Sequence, residues 1–416
     1  MALTADFDLL VAGGGAAGIA AAVAAAQAGA RVCLVEQHGF LGGAATASSV
    51  LTHCGFFDQT RTQVVRGVGQ QVLDRLASRD LYQTETFAST GNTVVLLDLE
   101  TTKSVYDDLV AEAGVTLLLH SRLSGATVED GRLVAVTVDH RGGREVLTAR
   151  SFVDCSGDGA LLAAADAAVH VSPVSERQAS TLVMRVGGVD ESADISADAL
   201  SRAVQDYQAA TGVELGRDGG TAVRMPLSRE VMLLLADEYR DVLDVAELTA
   251  AETGARRQAW HYLRAFQRGL PGWEHSFLAA TGPQIGIRES RRLVGRDTVT
   301  AEDVSTGRRR PDDGVARCGW PMEDHATPGV TVYGGIKDKG WYHIPHGALV
   351  SATIDNLWAA GRLVSSDNRA YASLRVMGTA FATGHAAGIA ALLHARTGRH
   401  DYAPVREALV AQGALI

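Results

Sequence analysis

The chain has 416 residues, of which 46% are hydrophobic and 21% are charged, and its formal net charge at pH 7 is −10. This length predicts two or three domains with a large core, and the negative charge argues against nucleic acid and anionic membranes as partners. The four cysteines form no C-x-x-C pair, which excludes a zinc knuckle of the usual spacing and indicates a reducing compartment.

A glycine-rich loop follows the first apolar run of the chain. Residues 7–12 are typical of a buried strand, and Gly13-x-Gly15-x-x-Gly18 comes directly after them. An alanine-rich helix to about residue 28 and a second strand ending at Glu36 complete the order of a dinucleotide-binding βαβ unit. In such a unit the glycines bring backbone N–H groups to a pyrophosphate at the helix N-terminus, and the acid accepts hydrogen bonds from a ribose.

The uncharged stretch 9–30 is also long enough for a membrane span. Its glycine cluster, the lack of large aliphatic residues in its second half and the lack of flanking basic residues argue against that alternative. No signal-peptide pattern precedes it, so we expect a cytoplasmic protein without a membrane partner.

The remaining pattern predicts an α/β fold with an insertion. Helices are predicted at 65–80 and 99–113, a β-meander at 115–147, and a strand at 152–155 that ends in a glycine turn. Residues 178–189 alternate like a strand, 197–210, 228–240 and 245–268 are typical of helices, and 281–289 and 330–333 are typical of strands. From residue 356 a strand, a turn and a helix at 380–397 repeat the first pattern. We therefore predict a discontinuous Rossmann-like domain of residues 1–170 and 341–416, with an inserted α+β substrate-binding (cap) domain of residues 171–340.

An ordered set of motifs spans nearly the whole chain. It comprises the loop at 13–18 with Glu36, Leu41-Gly42-Gly43-x-x-Thr46, Val153-Asp154-x-Ser156-Gly157-Asp158-Gly159, Ile285-Gly286-Ile287-Arg288-Glu289-x-Arg291-Arg292, Pro321-x-Glu323-x-His325, Ile344-Pro345-x-x-x-Leu349, Ala360-Gly361-Arg362, Leu374-Arg375-Val376-Met377 and Gly384-x-Ala386-Ala387-Gly388. With this set the chain resembles FAD-dependent oxidoreductases of the glutathione-reductase-like flavin fold, related to fumarate reductase and succinate dehydrogenase flavoproteins.

The resemblance implies FAD as the cofactor and places the helix start at Met377 beside the flavin. The motifs together assign the following residues to cofactor binding: Gly13, Gly15, Ala16, Ala17, Gly18, Glu36, Gln37, Gly42, Gly43, Ala44, Thr46, Ser156, Gly157, Asp158, Gly361, Arg362, Arg375, Met377, Gly378 and Thr379. The chain departs from the family pattern at Glu323, at His343 and His346, and at His385, so the substrate of a relative does not transfer to it.

Five residues are candidates for catalysis. Arg288 could bind a carboxylate, or it could form an ion pair within the core. His343 and His346 flank Pro345 and would point to opposite sides of a strand, so they are poor candidates for one metal, and we predict no metal site. Either histidine could be a general base or a hydrogen-bond donor to substrate. Glu323 and His325 could share a face of an extended segment and polarise one another, or lie in a surface loop.

The predicted function is hydride transfer between flavin and a small polar substrate, which the arginines suggest is carboxylated. The reaction would dehydrogenate a C–N, C–O or C–C bond and pass electrons to an acceptor that the sequence does not name. A flavin-dependent monooxygenase and a non-catalytic FAD-binding protein are the alternatives. Covalent attachment of FAD at His53 or Cys54 is a weaker option than a hydrogen-bonded histidine and a buried thiol. A homodimer is compatible with the sequence.

Overall fold

The structure is a computed structural model that describes residues 7–416. Its strands are β1 (Phe7–Ala12), β2 (Val32–Val35), β3 (Thr52–Cys54), β4 (Gln83–Thr86), β5 (Thr93–Leu96), β6 (Thr116–Leu118), β7 (Arg122–Glu129), β8 (Arg132–His140), β9 (Gly143–Asp154), β10 (Val169–Val171), β11 (Ser180–Gly187), β12 (Thr221–Arg224), β13 (Val231–Glu238), β14 (Phe277–Thr281), β15 (Arg291–Leu293), β16 (Gly314–Cys318), β17 (Met322–Asp324), β18 (Val332–Gly334), β19 (Tyr342–Pro345) and β20 (Leu357–Ala359). Its α-helices are α1 (Ala16–Gln27), α2 (Val68–Ala77), α3 (Leu99–Glu112), α4 (Ala160–Ala164), α5 (Ala197–Thr211), α6 (Val245–Gly269), α7 (Ala301–Thr306), α8 (Asn368–Leu374), α9 (Met377–Thr397) and α10 (Tyr402–Ala411).

A mixed sheet joins both ends of the chain. The strands lie in the order β6-β2-β1-β9-β8-β7, and β20 also pairs with β9. Strands β6, β2, β1, β20 and the second half of β9 are parallel, whereas the first half of β9 continues into an antiparallel meander with β8 and β7. The predicted α/β class with a Rossmann-like parallel sheet is confirmed.

Helices α1 and α9 cover one face of this sheet and pack directly on each other. A Cβ atom on Gly384 would lie 2.1 Å from the carbonyl oxygen of Ala17, and one on Gly388 would lie 2.3 Å from that of Ala21. The small residues of both helices therefore let their backbones approach, which buries most of the length of α1. The glycines of the late helix serve this packing.

A second hydrophobic core lies between residues 182 and 285. Strands β12-β13-β11-β14 form an antiparallel sheet covered by α5 and α6, with Tyr262, Phe266 and Trp273 buried between them. Two predictions fail here. Residues 228–240 form strand β13 rather than a helix, because Val231–Leu235 is a continuous apolar run whose periodicity does not separate a buried strand from a buried helix. The strand expected at 281–289 is wrong, because β14 covers Phe277–Thr281 and ends where Gly282 and Pro283 interrupt the pairing. Within 282–289 the structure has one isolated bridge, between Gly286 and Thr181.

Smaller sheets complete the fold, namely β3-β5-β4 and the pairs β10-β15, β16-β19 and β17-β18. Among residues 7–416, no single helix combines the length and apolarity needed to cross a membrane. Helices α8 and α9 meet those criteria only as a pair, and they bend by 96° at the break between them.

Candidate active site

Three glycine turns converge at the carboxyl ends of β1 and β9. A Cβ on Gly13 would lie 2.6 Å from the carbonyl oxygen of Cys155, and one on Gly43 would lie 3.0 Å from Cα of Gly15. The N–H of Gly42 donates to the carbonyl of Gly14 at 2.8 Å, which holds the second turn against the first. Because Gly13 and Gly42 also have positive φ angles, side chains are excluded from these positions by both space and conformation.

The first of these turns opens helix α1 without a side-chain cap. Gly15 is the N-cap and makes no side-chain hydrogen bond, so the N–H groups of Ala16 and Ala17 have no side-chain acceptor. Gly18 is required for a different reason, since a Cβ there would collide with the carbonyl oxygen of Gly13. An uncapped helix start of this kind is suited to a phosphate.

The carboxylate of Glu36, the residue that follows β2, accepts two backbone hydrogen bonds. One carboxylate oxygen of Glu36 accepts the N–H of Gly14 at 2.7 Å, and the other accepts the N–H of His38 at 2.8 Å. Glu36 is buried, whereas the next residue, Gln37, is exposed. The glutamate therefore fixes the glycine loop while it lies at the position expected for a ribose contact.

The turns after β2 and β9 are held by buried polar side chains. The hydroxyl of Thr46 donates to the carbonyl of Leu41 at 2.6 Å, and Ala44 is exposed in the same turn. In the other turn Ser156 donates from its backbone and its hydroxyl to Asp154, and Asp158 pairs with Arg362 at 3.3 Å. A Cβ on Gly157 would meet this same guanidinium of Arg362.

The last segment of the cofactor site is the start of α9. Its N-cap, Val376, gives no side-chain hydrogen bond, so the helix N-terminus at Met377 is as open as that of α1. Gly378 packs on the backbone of Gly55, and the hydroxyl of Thr379 donates to Cys318 at 3.3 Å. Gly361 lies between α1 and α9, against Ala17.

These residues fit a dinucleotide with a redox ring at one end. The N-termini of α1 and α9 lack side-chain caps, and the two helices pack on each other through glycines, which suits a pyrophosphate at α1 and a developing negative charge at α9. The sequence model of the family described as FAD dependent oxidoreductase matches residues 8–409. The chain belongs to this family. FAD is accordingly its cofactor, and the protein is an oxidoreductase.

The same fold occurs in distant solved structures. A geranylgeranyl bacteriochlorophyll reductase-like protein from Thermoplasma acidophilum shares 13% identity over 99% of this chain and 84% of its own, with a TM-score of 0.51. BexE, studied for oxidation during BE-7585A biosynthesis, shares 14% identity over 98% of this chain and 66% of its own, also with a TM-score of 0.51. At these identities the likeness concerns the fold alone. No curated protein matches the sequence.

Beside the start of α9, this FAD dependent oxidoreductase brings three arginines together around one histidine. Arg217, Arg288 and Arg375 all lower the pKa of His325, after burial as the largest cause, so the imidazole is neutral at pH 7. Arg375 donates to the carbonyl of Glu323 at 3.0 Å. Two of the predicted catalytic side chains, Arg288 and His325, thus lie close enough for the guanidinium to disfavour protonation of the imidazole.

Asp237 holds two of these arginines. Its carboxylate lies 3.2 Å from Arg217 and 3.7 Å from Arg288, and it accepts the hydroxyl of Thr181, which in turn accepts from Arg288. Burial lowers the pKa of Arg288 to about 10, and Asp237 opposes that shift, so the guanidinium stays charged at neutral pH. Arg288 therefore forms an ion pair, as one interpretation expects, and it also faces His325, where it could bind a carboxylate.

His325 keeps one ring nitrogen free. Its Nδ1 lies 3.1 Å from the hydroxyl of Thr331, which also accepts from Arg217 at 3.2 Å, whereas its Nε2 forms no hydrogen bond with residues 7–416. Glu323 accepts the indole N–H of Trp320 at 3.0 Å and does not bond to His325. The two residues therefore belong to one cluster without polarising each other directly.

His343 and His346 lie in different surroundings. The Nδ1 of His343 accepts the N–H of Arg310 at 2.7 Å, and burial followed by Arg317 and Arg309 lowers its pKa to about 4. The pKa of His346 is also lowered to about 4, by burial and then by His400 and Arg296. None of these partners belongs to the cluster around His325, because β19 runs beside β16 and away from β17.

His385, another departure from the family pattern, lies between helices. Its Nε2 bonds to Gln412 at 2.6 Å and its Nδ1 accepts the N–H of Val68, so it connects α9 to α10 and α2 rather than to the cofactor.

The structure adds two residues that the sequence did not indicate, Arg217 and Asp237. Asp237 lies in β13, and Arg217 lies in the segment before β12. Cys54 comes from β3, where its thiol pKa is raised to about 12 by burial and by Glu323. Its neighbour His53 faces the opposite side, where it lies fully buried against Tyr106, Phe56 and Phe381. Strand alternation thus separates the two groups considered for covalent attachment.

Proposed function

We propose that this oxidoreductase dehydrogenates a small substrate that carries a carboxylate, with His325 as the proton acceptor. The observation that carries the proposal is the neutral imidazole of His325, which has a free Nε2 and lies among three guanidinium groups. The cluster adjoins the start of α9, because Gly55, next to Cys54, packs on Gly378.

The charges of the cluster favour an anion. Three arginines face two carboxylates, those of Asp237 and Glu323, and His325 adds no charge. A bound carboxylate would neutralise the surplus and accept charge-assisted hydrogen bonds from a guanidinium fork. The Nε of Arg217 and the Nε of Arg375 are buried without a partner, which leaves donors for such a ligand.

The cofactor and the side chains of the protein have different roles in the proposed reaction. FAD, when bound, accepts the hydride equivalent. The chain then needs to orient the substrate and remove one proton. The three arginines make His325 a weak base, but a bound carboxylate would offset their charge and raise the pKa of the imidazole, so that it can accept the proton. In this proposal Arg217, Arg288 and Asp237 come from the predicted insertion at 171–340, while Arg375 comes from the predicted second segment of the cofactor domain at 341–416. Substrate would therefore lie between the two predicted domains.

Anaerobic flavin reduction tests this proposal. Small amino and hydroxy acids are mixed with the FAD-loaded protein, each beside its amide, and loss of the oxidised flavin band is followed by stopped flow. We expect an acid to reduce the flavin with an efficiency at least tenfold above that of its amide, since one charge-assisted hydrogen bond is worth about 1.5–3 kcal/mol. Equal reduction by acid and amide would remove the carboxylate from the proposal.

A matched pair of variants locates the binding group. Arg217→Gln is expected to weaken substrate binding, whereas Arg185→Gln removes an arginine that pairs with Glu230 at 2.6 Å in the same sheet and should leave binding unchanged. Flavin monooxygenation is the competing proposal, and it requires NADPH. Rapid NADPH-dependent oxygen uptake without any reduction by organic acids would favour it over dehydrogenation.

A further inference from the structure

A carboxylate and two imidazoles meet at the far end of α9. Asp355 precedes β20, His394 lies in the last turn of α9, and His400 lies in the turn before α10. The Nε2 atoms of the two histidines each lie 3.1 Å from a different oxygen of Asp355, and one ligand atom from each of the three residues falls within 4.8 Å of the others.

We propose that Asp355, His394 and His400 bind a divalent transition-metal ion, with Zn²⁺ as the best match to two imidazole nitrogens and one carboxylate oxygen. This donor set, with one position left for water, is typical of zinc sites with three protein ligands. Seventeen residues separate Met377 from His394, which places the site about 26 Å along the helix from the start of α9. It is therefore a site separate from the cofactor.

The spacing of the three groups suits tetrahedral coordination. Zinc bonds of about 2.0–2.1 Å imply a separation of about 3.3 Å between neighbouring ligand atoms. The Nε2 of His394 lies 3.1 Å from one oxygen of Asp355, and one ligand atom from each of the three residues lies within 4.8 Å of the others, which is near the spacing that one ion requires. Asp355 is 41% exposed, so an ion can enter from solvent, whereas the side chain of His394 is fully buried. The Nδ1 of His394 lies 3.4 Å from the hydroxyl of Ser151, the type of outer contact that orients a ligating imidazole.

Two further features distinguish this cluster from a simple hydrogen-bonded trio. The Nδ1 of His400 is buried and has no hydrogen-bond partner among residues 7–416, so hydrogen bonding with these residues leaves the ring incompletely satisfied. The ring of Trp358 packs against both imidazoles, with centroid separations of 5.0 and 5.3 Å, and restricts their orientation with both Nε2 atoms toward Asp355. Preorganised ligands of this kind lose little freedom when an ion binds.

Two arginines compete with the ion for Asp355. Arg132 lies 2.5 Å from one carboxylate oxygen and Arg296 lies 3.2 Å from the other. An incoming cation must share or displace these guanidinium groups, so the site is one of moderate affinity. Removal of the positive charge at Arg296 is therefore expected to tighten metal binding.

Equilibrium dialysis of the FAD-loaded protein against ZnCl₂, with metal content measured by mass spectrometry, tests the site. We expect one Zn²⁺ per chain in the wild type, at least a tenfold loss of affinity in His400→Gln and in Asp355→Asn, and a gain in Arg296→Gln. His261→Gln is the control, since His261 bonds to Tyr207 in the second core and should not alter binding. His394→Gln is measured as well. Retention of flavin absorbance in this variant would show that the protein tolerates the substitution of a buried histidine.

A second readout is independent of stoichiometry. Zn²⁺ is expected to raise the unfolding temperature of the wild type and of His261→Gln but not of His400→Gln, because the ion stabilises only the form that holds its ligands together. Co²⁺ should give visible d–d bands that vanish in the same variant. Zinc binding that survives in both His400→Gln and Asp355→Asn, or a wild type that binds no zinc, would overturn the proposal.

Discussion

Substitution of Gly384 by alanine tests how closely the two long helices of the cofactor site pack. The added Cβ would lie 2.1 Å from the carbonyl oxygen of Ala17 and 2.6 Å from its Cα, about 1.3 Å short of an ordinary contact with the oxygen. Neither atom belongs to a flexible side chain, so relief requires the whole of α1 or α9 to move. Overpacking of this kind costs about 3 kcal/mol, and the better helix propensity of alanine returns about 1 kcal/mol.

We therefore expect Gly384→Ala to lose about 2 kcal/mol of stability and at least tenfold in FAD affinity, because α1 carries the glycine turn that is predicted to receive the pyrophosphate. Thermal unfolding of the apoprotein and fluorescence titration with FAD measure the two effects separately. Gly335→Ala is the control, since Gly335 has no neighbour within 4 Å of a Cβ and no positive φ angle. Wild-type values of both quantities in Gly384→Ala would refute the helix contact.

Three further changes probe the site and the core. His325→Gln should keep FAD bound and lower the rate of anaerobic flavin reduction by roughly 10²-fold or more, and an unchanged rate would exclude it as the base. Glu36→Ala should weaken FAD by roughly 10- to 100-fold in a fluorescence titration, because the N–H of Gly14 loses its charged acceptor, whereas wild-type affinity would contradict that role. Burial lowers the pKa of His53 from 6.5 to about 3. As the pH falls, His53 therefore binds a proton in the unfolded chain before it does so in the folded protein. This residue should lower the free energy of unfolding by about 1.4 kcal/mol per pH unit between pH 6.5 and about 3. His53→Gln should flatten that acid dependence of the denaturation midpoint, and a slope equal to that of the wild type would show that the histidine titrates normally.

The turns assigned to the cofactor could be predicted as local structure because each is encoded by neighbouring residues, whereas their contacts with FAD stay a prediction. The glycine loop at 13–18, the acid at residue 36 and the turn at 156–159 combine a short apolar strand with a turn that only glycine can form, and the structure places all three at one end of the sheet. The return of the chain at β20 followed from a repeated pattern of strand, turn and helix.

The sequence indicated only some members of the cluster around His325, because these residues come from distant segments of the chain. Arg217 and Asp237 lie in a region whose strand β13 was interpreted as a helix, which hid their common orientation toward the site. For His343 and His346, the sequence offered no means of choosing between β16 and β17 as the neighbour of β19. The pairing of strands far apart in the chain decided their surroundings.

The contact between α1 and α9 has a consequence for synthesis of the protein. The backbone that covers residues 16–27, together with β20 beside β9, is translated some 340 to 370 residues after them. The alanine-rich face of α1 is therefore without its native partner while these residues are synthesised. This long-range closure makes folding of the cofactor site a late, slow event, and chains terminated before α9 are natural clients of chaperones and proteases.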